Sequence, residues 1–300
     1  MLMILETKIR PVKVILLIWR WLLFYFFLCI VVSLVHSYYN VNISIPTSEV
    51  SMLGVALSIL MGFRVSSAYD RWWEARKIWG QVVNNSRSFT RQAITFTHRS
   101  DISSDLLQSV VYRQIAFVYA MSCRLREQNC EELIEPFLLD KEFQEVTKKS
   151  HIPNLLLLHN LYAVKDLRKD EILTDFEFLR LEETVYQLTD NLGGAERIKN
   201  TPFPVPYSYC TWLLVHLFAL IVPFGMVDSL GYMTIPIAMC AIFIFLVIEQ
   251  IAVEIQDPFS NRENDIPLTA ISQTIEFDLK EMLGYQELPE KDGAKDGVLM

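Results

Sequence analysis

Four apolar stretches stand out from a mixed background and predict membrane-spanning helices. The first is long enough to cross a bilayer, which takes about 20 apolar residues. The third contains Pro223, and a short polar turn joins it to the fourth, so these two predict a tight antiparallel hairpin. The stretches cover residues 14–35, 50–65, 207–227 and 234–253.

The second stretch changes character abruptly and is the most informative part of the chain. It begins as an apolar helix and becomes charged and aromatic near Asp70, as expected of a helix that leaves a bilayer for water. Val55, Ile59 and Phe63 recur every fourth residue and form one stripe on one helical face. Such a stripe either packs against a partner helix or lines a narrow pore. Arg64 points about 100° away from Phe63, so we expect it to pack against a neighbouring helix or lipid.

Small residues interleave with this stripe and let neighbouring helices approach closely. One chain with four spans is too small to enclose a channel, so a pore has to form on a symmetry axis between several copies. Both points favour a pore over ordinary helix packing. The small residues are Gly54, Ala56, Ser58 and Gly62.

The distribution of Lys and Arg predicts the orientation of the chain. Loop 36–49 and turn 228–233 carry neither residue, whereas both the N-terminal end and the stretch after Arg64 are rich in them. Both termini and the long middle region are therefore expected in the cytoplasm. The middle region has helical spacing, and Gly193-Gly194 predicts a helix end within it. The predicted domains are 14–65 (first pair of spans), 66–206 (cytosolic helical domain), 207–253 (second hairpin), 254–285 (cytosolic helical segment) and 286–300 (disordered tail).

Composition and side-chain chemistry narrow the class of function. Of the 300 residues, 52% are hydrophobic, and the net charge of −8 argues against nucleic acid as a partner. The five histidines show no paired ligand spacing, the five cysteines are dispersed, and no phosphate loop or nucleophile motif is present. We therefore predict no enzymatic activity, no metal and no cofactor. Glu249 is the one carboxylate flanked on both sides by a span's apolar residues, and it is the candidate for a transporter's polar site.

Several motifs together resemble those of the bestrophin family, and of its bacterial branch most of all. The resemblance covers nearly the whole chain to about Leu283. Its motifs are Gly-Phe-Arg at 62–64, AYDRWWEARKIWG at 68–80, NTPFPVP at 200–206 and Asp-Pro-Phe at 257–259.

The resemblance implies a homopentameric ion channel of the bacterial inner membrane, with lipid and permeant ions as its other partners. Its neck, a hydrophobic constriction, is implied to consist of Val55, Ile59 and Phe63, in agreement with the stripe found independently. A lower aperture in the cytosolic region is implied near Phe178, with Glu177 beside it.

Two departures from the family pattern bear on gating and selectivity. Calcium-activated animal relatives carry a dense acidic run after the Asn-Pro-Phe motif, but here residues 257–265 hold fewer carboxylates and Arg262 interrupts them. Since a calcium cage needs about six to eight oxygen ligands, we expect no strong calcium switch. The neck of the animal relatives resembles Ile-Phe-Phe, whereas this one reads Val-Ile-Phe. With Ile59 in place of phenylalanine, the neck lacks one ring of the aromatic edges that attract anions.

Carboxylates near the neck predict the permeant ion. Glu49 lies above the stripe, while Asp70 and Glu74 continue along its face below, and rings of such groups concentrate cations. The bacterial relatives, by resemblance, also prefer monovalent cations. We therefore expect a channel for Na⁺ and K⁺ with the neck as its gate. An anion (chloride) channel of the same architecture and a non-conducting membrane scaffold or sensor remain alternatives.

Overall fold

The fold was analysed in a computed structural model that describes residues 11–39, 41–98, 104–262, 264–286 and 288. The regular structure of these residues is helical throughout, which confirms the predicted all-α class. The helices are α1 (Pro11–Ser37), α2 (Thr47–Thr97), α3 (Ser104–Arg126), α4 (Glu131–Ile134), α5 (Asp140–Val146), α6 (Ile152–Lys169), α7 (Asp175–Asn200), α8 (Val205–Leu230), α9 (Thr234–Ile255) and α10 (Leu268–Met282).

Three stretches of the described chain are long and apolar enough to cross a membrane. They are Ile15–Ser37, Thr47–Thr97 and Val205–Ile255. The last stretch holds α8 and α9, which pack against each other and are joined by the 3-10 turn Gly231–Met233. The four apolar segments of the sequence therefore fall on four helices, and the predicted hairpin forms.

Helix α2 runs without interruption for 51 residues. At a rise of 1.5 Å per residue it is about 75 Å long, more than twice the roughly 30 Å of a bilayer's hydrocarbon core. Its first half is apolar and its second half is charged. The change of character seen in the sequence therefore happens within one helix and not at a break between two.

The described chain divides into two compact units. The membrane unit comprises α1, α8 and α9 with the first part of α2, which reaches to Trp72, and it includes Pro202–Asp257. The polar unit comprises the described residues of Trp73–Thr201 and those from Pro258 onward. Each unit is therefore built from segments that are far apart in sequence.

The core of the membrane unit consists of one face from each of its four helices. Tyr25 and Cys29 of α1 are buried there with Leu57 and Met61 of α2, and Val222 of α8 is 1% exposed. Helices α2 and α8 come close at two glycines, where a side chain of one helix lies against the backbone of the other. The ring of Phe218 lies 3.1 Å from where a Cβ would stand on Gly54, and Val50 Cγ2 lies 2.5 Å from the same point on Gly225.

In the polar unit α3 is the central helix and packs against α6, α7 and α10. The helical spacing of Leu106, Val110, Phe117 and Met121 predicts one buried face of α3, and the last three are buried, whereas Leu106 in the first turn is exposed. The predicted helix end at Gly193-Gly194 is wrong, because α7 continues to Asn200. Gly194 serves packing instead, since Ile78 Cδ1 lies 3.1 Å from where its Cβ would stand. The predicted disordered tail lies outside the described residues, apart from 286 and 288.

Candidate functional site: an apolar stripe on α2

The predicted neck residues form an exposed apolar stripe on α2. Val55, Ile59 and Phe63 are 62%, 59% and 66% exposed, and Met52, one turn before Val55, is 73% exposed. The opposite face of the same helix buries Leu57 to 5%. The chain thus uses one side of α2 for its own core and leaves the stripe uncovered. An apolar surface of this kind belongs against lipid, against another copy of the chain, or along a pore.

The small residues around the stripe do not all act as expected. Gly54 was expected to admit a neighbouring helix around the symmetry axis, but the ring of Phe218 from the same chain occupies the space beside it. Around Gly62, by contrast, no heavy atom of the described residues outside the neighbouring backbone of α2 lies within 4 Å of where a Cβ would stand. Ser58 is exposed and donates to Gly54 O at 2.8 Å. Gly62 and Ser58 therefore lie on the open side of α2, whereas Gly54 belongs to the core.

Arg64 lies next to Phe63 in sequence but points about 100° away from it, to a different face of α2. It is 0% exposed, and it contacts neighbouring helix α9 of its own chain. Its Nη2 donates to Gln256 Oε1 at 2.7 Å, and its guanidinium lies 4.3 Å from the centre of the Phe203 ring. Of the two surroundings expected for Arg64, a helix or lipid, the structure has the helix.

Glu249 lies beside Arg64 and is 6% exposed. The distance between Arg64 Nε and Glu249 Oε2 is 4.0 Å. The sequence could single out Glu249 as unusual, but only the fold pairs it with a residue 185 positions earlier.

The three carboxylates expected to attract cations differ in their surroundings. Glu49, in the first turn of α2, and Asp70 are both exposed. Glu74 is half-buried and accepts a hydrogen bond from Arg197 at 2.8 Å. Lys77, which sequence reasoning missed, is exposed seven residues after Asp70 and so lies on the same helical face.

The residues expected at the lower aperture lie at the start of α7. Glu177 forms a capping box with Thr174, its carboxylate accepting from the Thr174 N–H at 2.9 Å. Phe178 lies 5.2 Å from the guanidinium of Arg168. Both side chains are partly buried, whereas Phe176 in the same helical turn is 86% exposed. The capping pattern was visible in the sequence, but the exposure of Phe176 was not.

The loop between α9 and α10 contains the carboxylates that follow the Asp-Pro-Phe motif. Asp265 is 8% exposed and accepts a hydrogen bond from the N–H of Arg262 at 3.0 Å. Within the described residues, no group of three or more His, Cys, Asp or Glu side chains is arranged to hold a metal ion.

Comparison with known proteins identifies the family. A family model described as bacterial/fungal bestrophin protein matches residues 4–281. The voltage-dependent anion channel-forming protein YneE of Escherichia coli K12 is 34% identical over 274 residues, which cover 91% of this chain and 88% of that protein. A Ralstonia nicotianae protein of the same description is 30% identical over 275 residues, covering 91% of this chain and 90% of that protein.

Solved structures agree with this assignment. A bacterial bestrophin homologue from Klebsiella pneumoniae matches with a TM-score of 0.84 and 30% identity, over 89% of this chain and 98% of that one. The names of the curated relatives include the word anion, which conflicts with the cation selectivity expected from the sequence.

Proposed function

The chain belongs to the bacterial and fungal bestrophin family, and from this membership we propose that it forms an ion channel whose neck consists of Val55, Ile59 and Phe63. The observation that carries the proposal is the exposure of all three side chains on one face of α2. A single chain leaves this stripe uncovered, and several copies around an axis cover it by enclosing a pore. Five copies, as the family resemblance implies, would place five side chains at each level of the neck.

The neck acts as the gate in this proposal. A ring of apolar side chains offers an ion no replacement for its hydration shell, and a narrow apolar passage tends to lose its water. Conduction then requires the neck to widen or the ion to shed part of its water. The proposal includes no enzymatic step, and its support is that the curated relatives are named as channel-forming proteins.

We propose that the permeant ions are monovalent cations. Two exposed carboxylates support this assignment, Glu49 before the neck and Asp70 about 10 Å beyond Phe63 along α2. The net charge of −8 per chain supports it as well, because assembly multiplies the negative potential. Glu74 contributes less than expected, since Arg197 balances its charge.

Anion conduction is the second candidate. The names of the curated relatives favour it, and so do the aromatic ring of Phe63 and the exposed ammonium of Lys77 on the face below. Only a measurement of selectivity separates the two ions.

We propose that a second constriction is formed by the first turn of α7. Phe176 is a stronger candidate for it than Phe178, because its side chain is almost fully uncovered by its own chain, whereas the guanidinium of Arg168 lies over the ring of Phe178. Glu177 keeps a structural role there, since its carboxylate caps the helix.

The proposed location is the bacterial inner membrane, with both termini in the cytoplasm. The distribution of Lys and Arg supports this orientation, since loop 36–49 and turn 228–233 contain neither.

The test is a reversal potential, measured with the purified full-length protein in a planar bilayer under a KCl gradient. A reversal near the K⁺ equilibrium potential supports the cation channel, and a reversal near the Cl⁻ potential supports the second candidate. A closed neck also carries no current, so Ile59→Ala/Phe63→Ala, which removes most of the apolar constriction, is recorded beside the parent protein. Absence of current from both proteins, each shown to be incorporated, contradicts both candidates and leaves the scaffold alternative. Ser109→Ala, on α3 of the polar unit, serves as the matched control for variants of the neck.

A further inference from the structure

Arg64 and Phe63 face opposite environments although they are neighbours in sequence. Phe63 is 66% exposed on the stripe, and Arg64 is fully buried. In an α-helix consecutive residues point about 100° apart, so whatever holds Arg64 also determines the direction in which Phe63 points. The contacts of Arg64 therefore bear directly on the neck.

Arg64 is held at the C-terminal end of α9. Gln256, the residue that ends this helix, accepts from Arg64 Nη2 through its side chain at 2.7 Å. Arg71, two turns further along α2, donates from Nε to the backbone oxygen of the same Gln256 at 2.7 Å. The last carbonyls of a helix lack partners within the helix and carry partial negative charge, so they favour guanidinium groups. Arg64 and Arg71, seven residues apart on one face of α2, therefore both bind Gln256.

The charge of Arg64 is balanced from α9 as well. Glu249 faces it at 4.0 Å, a distance longer than a hydrogen bond. Arg64 Nε and Nη1 and Glu249 Oε2 are all buried and have no hydrogen-bond partner among the described residues. The pair therefore has a tighter arrangement within reach, since a movement of about 1 Å would bring these atoms to hydrogen-bond distance.

We propose that Arg64 is a positioning residue: its clamp on α9 sets the rotation of α2 about its axis, and with it the width of the neck. The clamp consists of Arg64, Glu249 and Gln256. In the loose arrangement of the clamp Arg64 Nε and Glu249 Oε2 are 4.0 Å apart, and in the tight arrangement they are hydrogen-bonded. A small rotation of α2 converts one arrangement into the other and also moves the stripe. The inference rests on the proposed function, because a neck has a width to set only if the stripe lines a pore.

The test compares chemical access to the neck with and without the clamp. The full-length protein carries Ile59→Cys together with Cys210→Ser and Cys240→Ser, which remove the exposed native thiols and leave the buried ones. A water-soluble methanethiosulfonate reagent then modifies the thiol at position 59. We expect Glu249→Gln and Arg64→Gln each to change the modification rate by about 5- to 150-fold, the usual range of coupling between sites.

The double variant Arg64→Gln/Glu249→Gln shows whether the two residues act as a unit. We expect its rate to equal that of a single variant and not the product of the two changes, because the clamp can be lost only once. A rate change in the double variant equal to the product of the two single changes would overturn the inference. Rates in the variants equal to that of the parent would overturn it as well. Glu132→Gln removes an exposed carboxylate from α4 and is the control, with no change expected.

A further variant keeps the test decisive. If Glu249→Gln does not yield folded protein, Gln256→Leu removes the hydrogen-bond acceptor of Arg64 without stranding a charge, and the same change in rate is expected. A rate in Gln256→Leu equal to that of the parent would overturn the clamp.

Failure of the channel proposal is distinguishable from failure of the clamp. Modification rates that depend on Glu249, in a protein that carries no current even with Phe63→Ala in the neck, support a clamp on α2 and contradict the pore. Normal currents, together with modification rates at position 59 that are the same in Glu249→Gln as in the parent, support the pore and contradict the clamp.

Discussion

Arg197 donates a hydrogen bond to the carboxylate of Glu74 at 2.8 Å, so these two residues together carry no net charge. Asp70, one turn earlier on α2, is exposed and adds its full charge to the surroundings of the stripe. The two carboxylates look equivalent in the sequence. Their contributions to the local potential are expected to differ.

Asp70→Asn should therefore reduce cation conduction. We expect the K⁺ conductance at about 10 mM salt to fall by about twofold or more, and the difference to vanish at 1 M salt, where the Debye length is only about 3 Å. Single-channel recording at both salt concentrations measures this. The control is Glu74→Gln/Arg197→Gln, which leaves the net charge unaltered and should leave the low-salt conductance unaltered too. An equal loss in the control would contradict the assignment.

Ile59→Phe should move selectivity toward anions. The edges of aromatic rings are electropositive, and this change adds a ring of them to the neck. We expect the ratio of K⁺ to Cl⁻ permeability to fall by about threefold or more, as a shift in reversal potential under a KCl gradient. Leu16→Phe, at an exposed apolar position of α1, is a control for which no change in the ratio is expected. An unchanged ratio in Ile59→Phe would remove Ile59 from the neck.

Gly225→Ala should destabilise the membrane unit. The added Cβ would stand 2.5 Å from Val50 Cγ2 and 2.8 Å from Val50 Cβ, so α2 and α8 would have to move apart. Overpacking of this kind costs about 1–3 kcal/mol. Thermal unfolding in detergent should show a lower midpoint. Gly193→Ala has open space around the new Cβ and should raise the midpoint, because alanine is the better helix former by about 1 kcal/mol.

Glu142 should make the polar unit sensitive to acid. Burial opposes the charge of this carboxyl, but hydrogen bonds and charge from Arg113 and His159 outweigh it and hold the pKa below its ordinary value of 4.5. A carboxyl with a lowered pKa in the folded state stabilises the fold above the ordinary pKa, and this stabilisation is lost as the pH falls through the folded value.

The measurement for Glu142 is unfolding by denaturant between pH 7 and pH 3. Glu142→Gln leaves the buried guanidinium of Arg113 without its charged partner, with Asn160 Oδ1 as its other acceptor, and should cost about 3–5 kcal/mol at pH 7. The difference between the variant and the parent should shrink below pH 4.5. A difference that is the same at every pH would show that the charge of Glu142 contributes nothing. Glu145→Gln, whose side chain is 60% exposed, is the control.

Calcium should have little effect on the current. Asp265 already accepts a backbone hydrogen bond from Arg262, and a calcium cage requires about six to eight oxygen ligands. We expect the open probability to be the same in micromolar calcium and in excess chelator. A reversible rise with calcium would contradict this and direct attention to residues 257–265.

The elements were predictable from the sequence where one physical signal dominates. The four apolar stretches and the stripe of Val55, Ile59 and Phe63 follow from hydrophobicity and helical period alone, and the fold contains both. The paired glycines were misleading, because a glycine can serve close packing inside a helix as well as the end of one. Only the position of Ile78 distinguishes the two roles of Gly194.

The partners of polar residues were not predictable from the sequence. Arg64 meets Glu249 and Gln256 from almost 200 positions away, and Arg197 reaches Glu74 across 123 positions. No local pattern encodes such pairs, since they result from the packing of helices. The exposure of Phe176 was not predictable either, because the sequence alone does not show which side chain of a helical turn the packing leaves uncovered.

The discontinuous membrane unit has a consequence for biosynthesis. Ribosomes release this chain from its N-terminus, so α1 and α2 emerge long before α8 and α9, which complete their core. Throughout that interval Arg64 is a charge in an apolar helix whose acceptors have not yet been made. A premature stop before residue 205 would strand both spans in that state, and such truncated chains are expected to be substrates of membrane quality-control proteases.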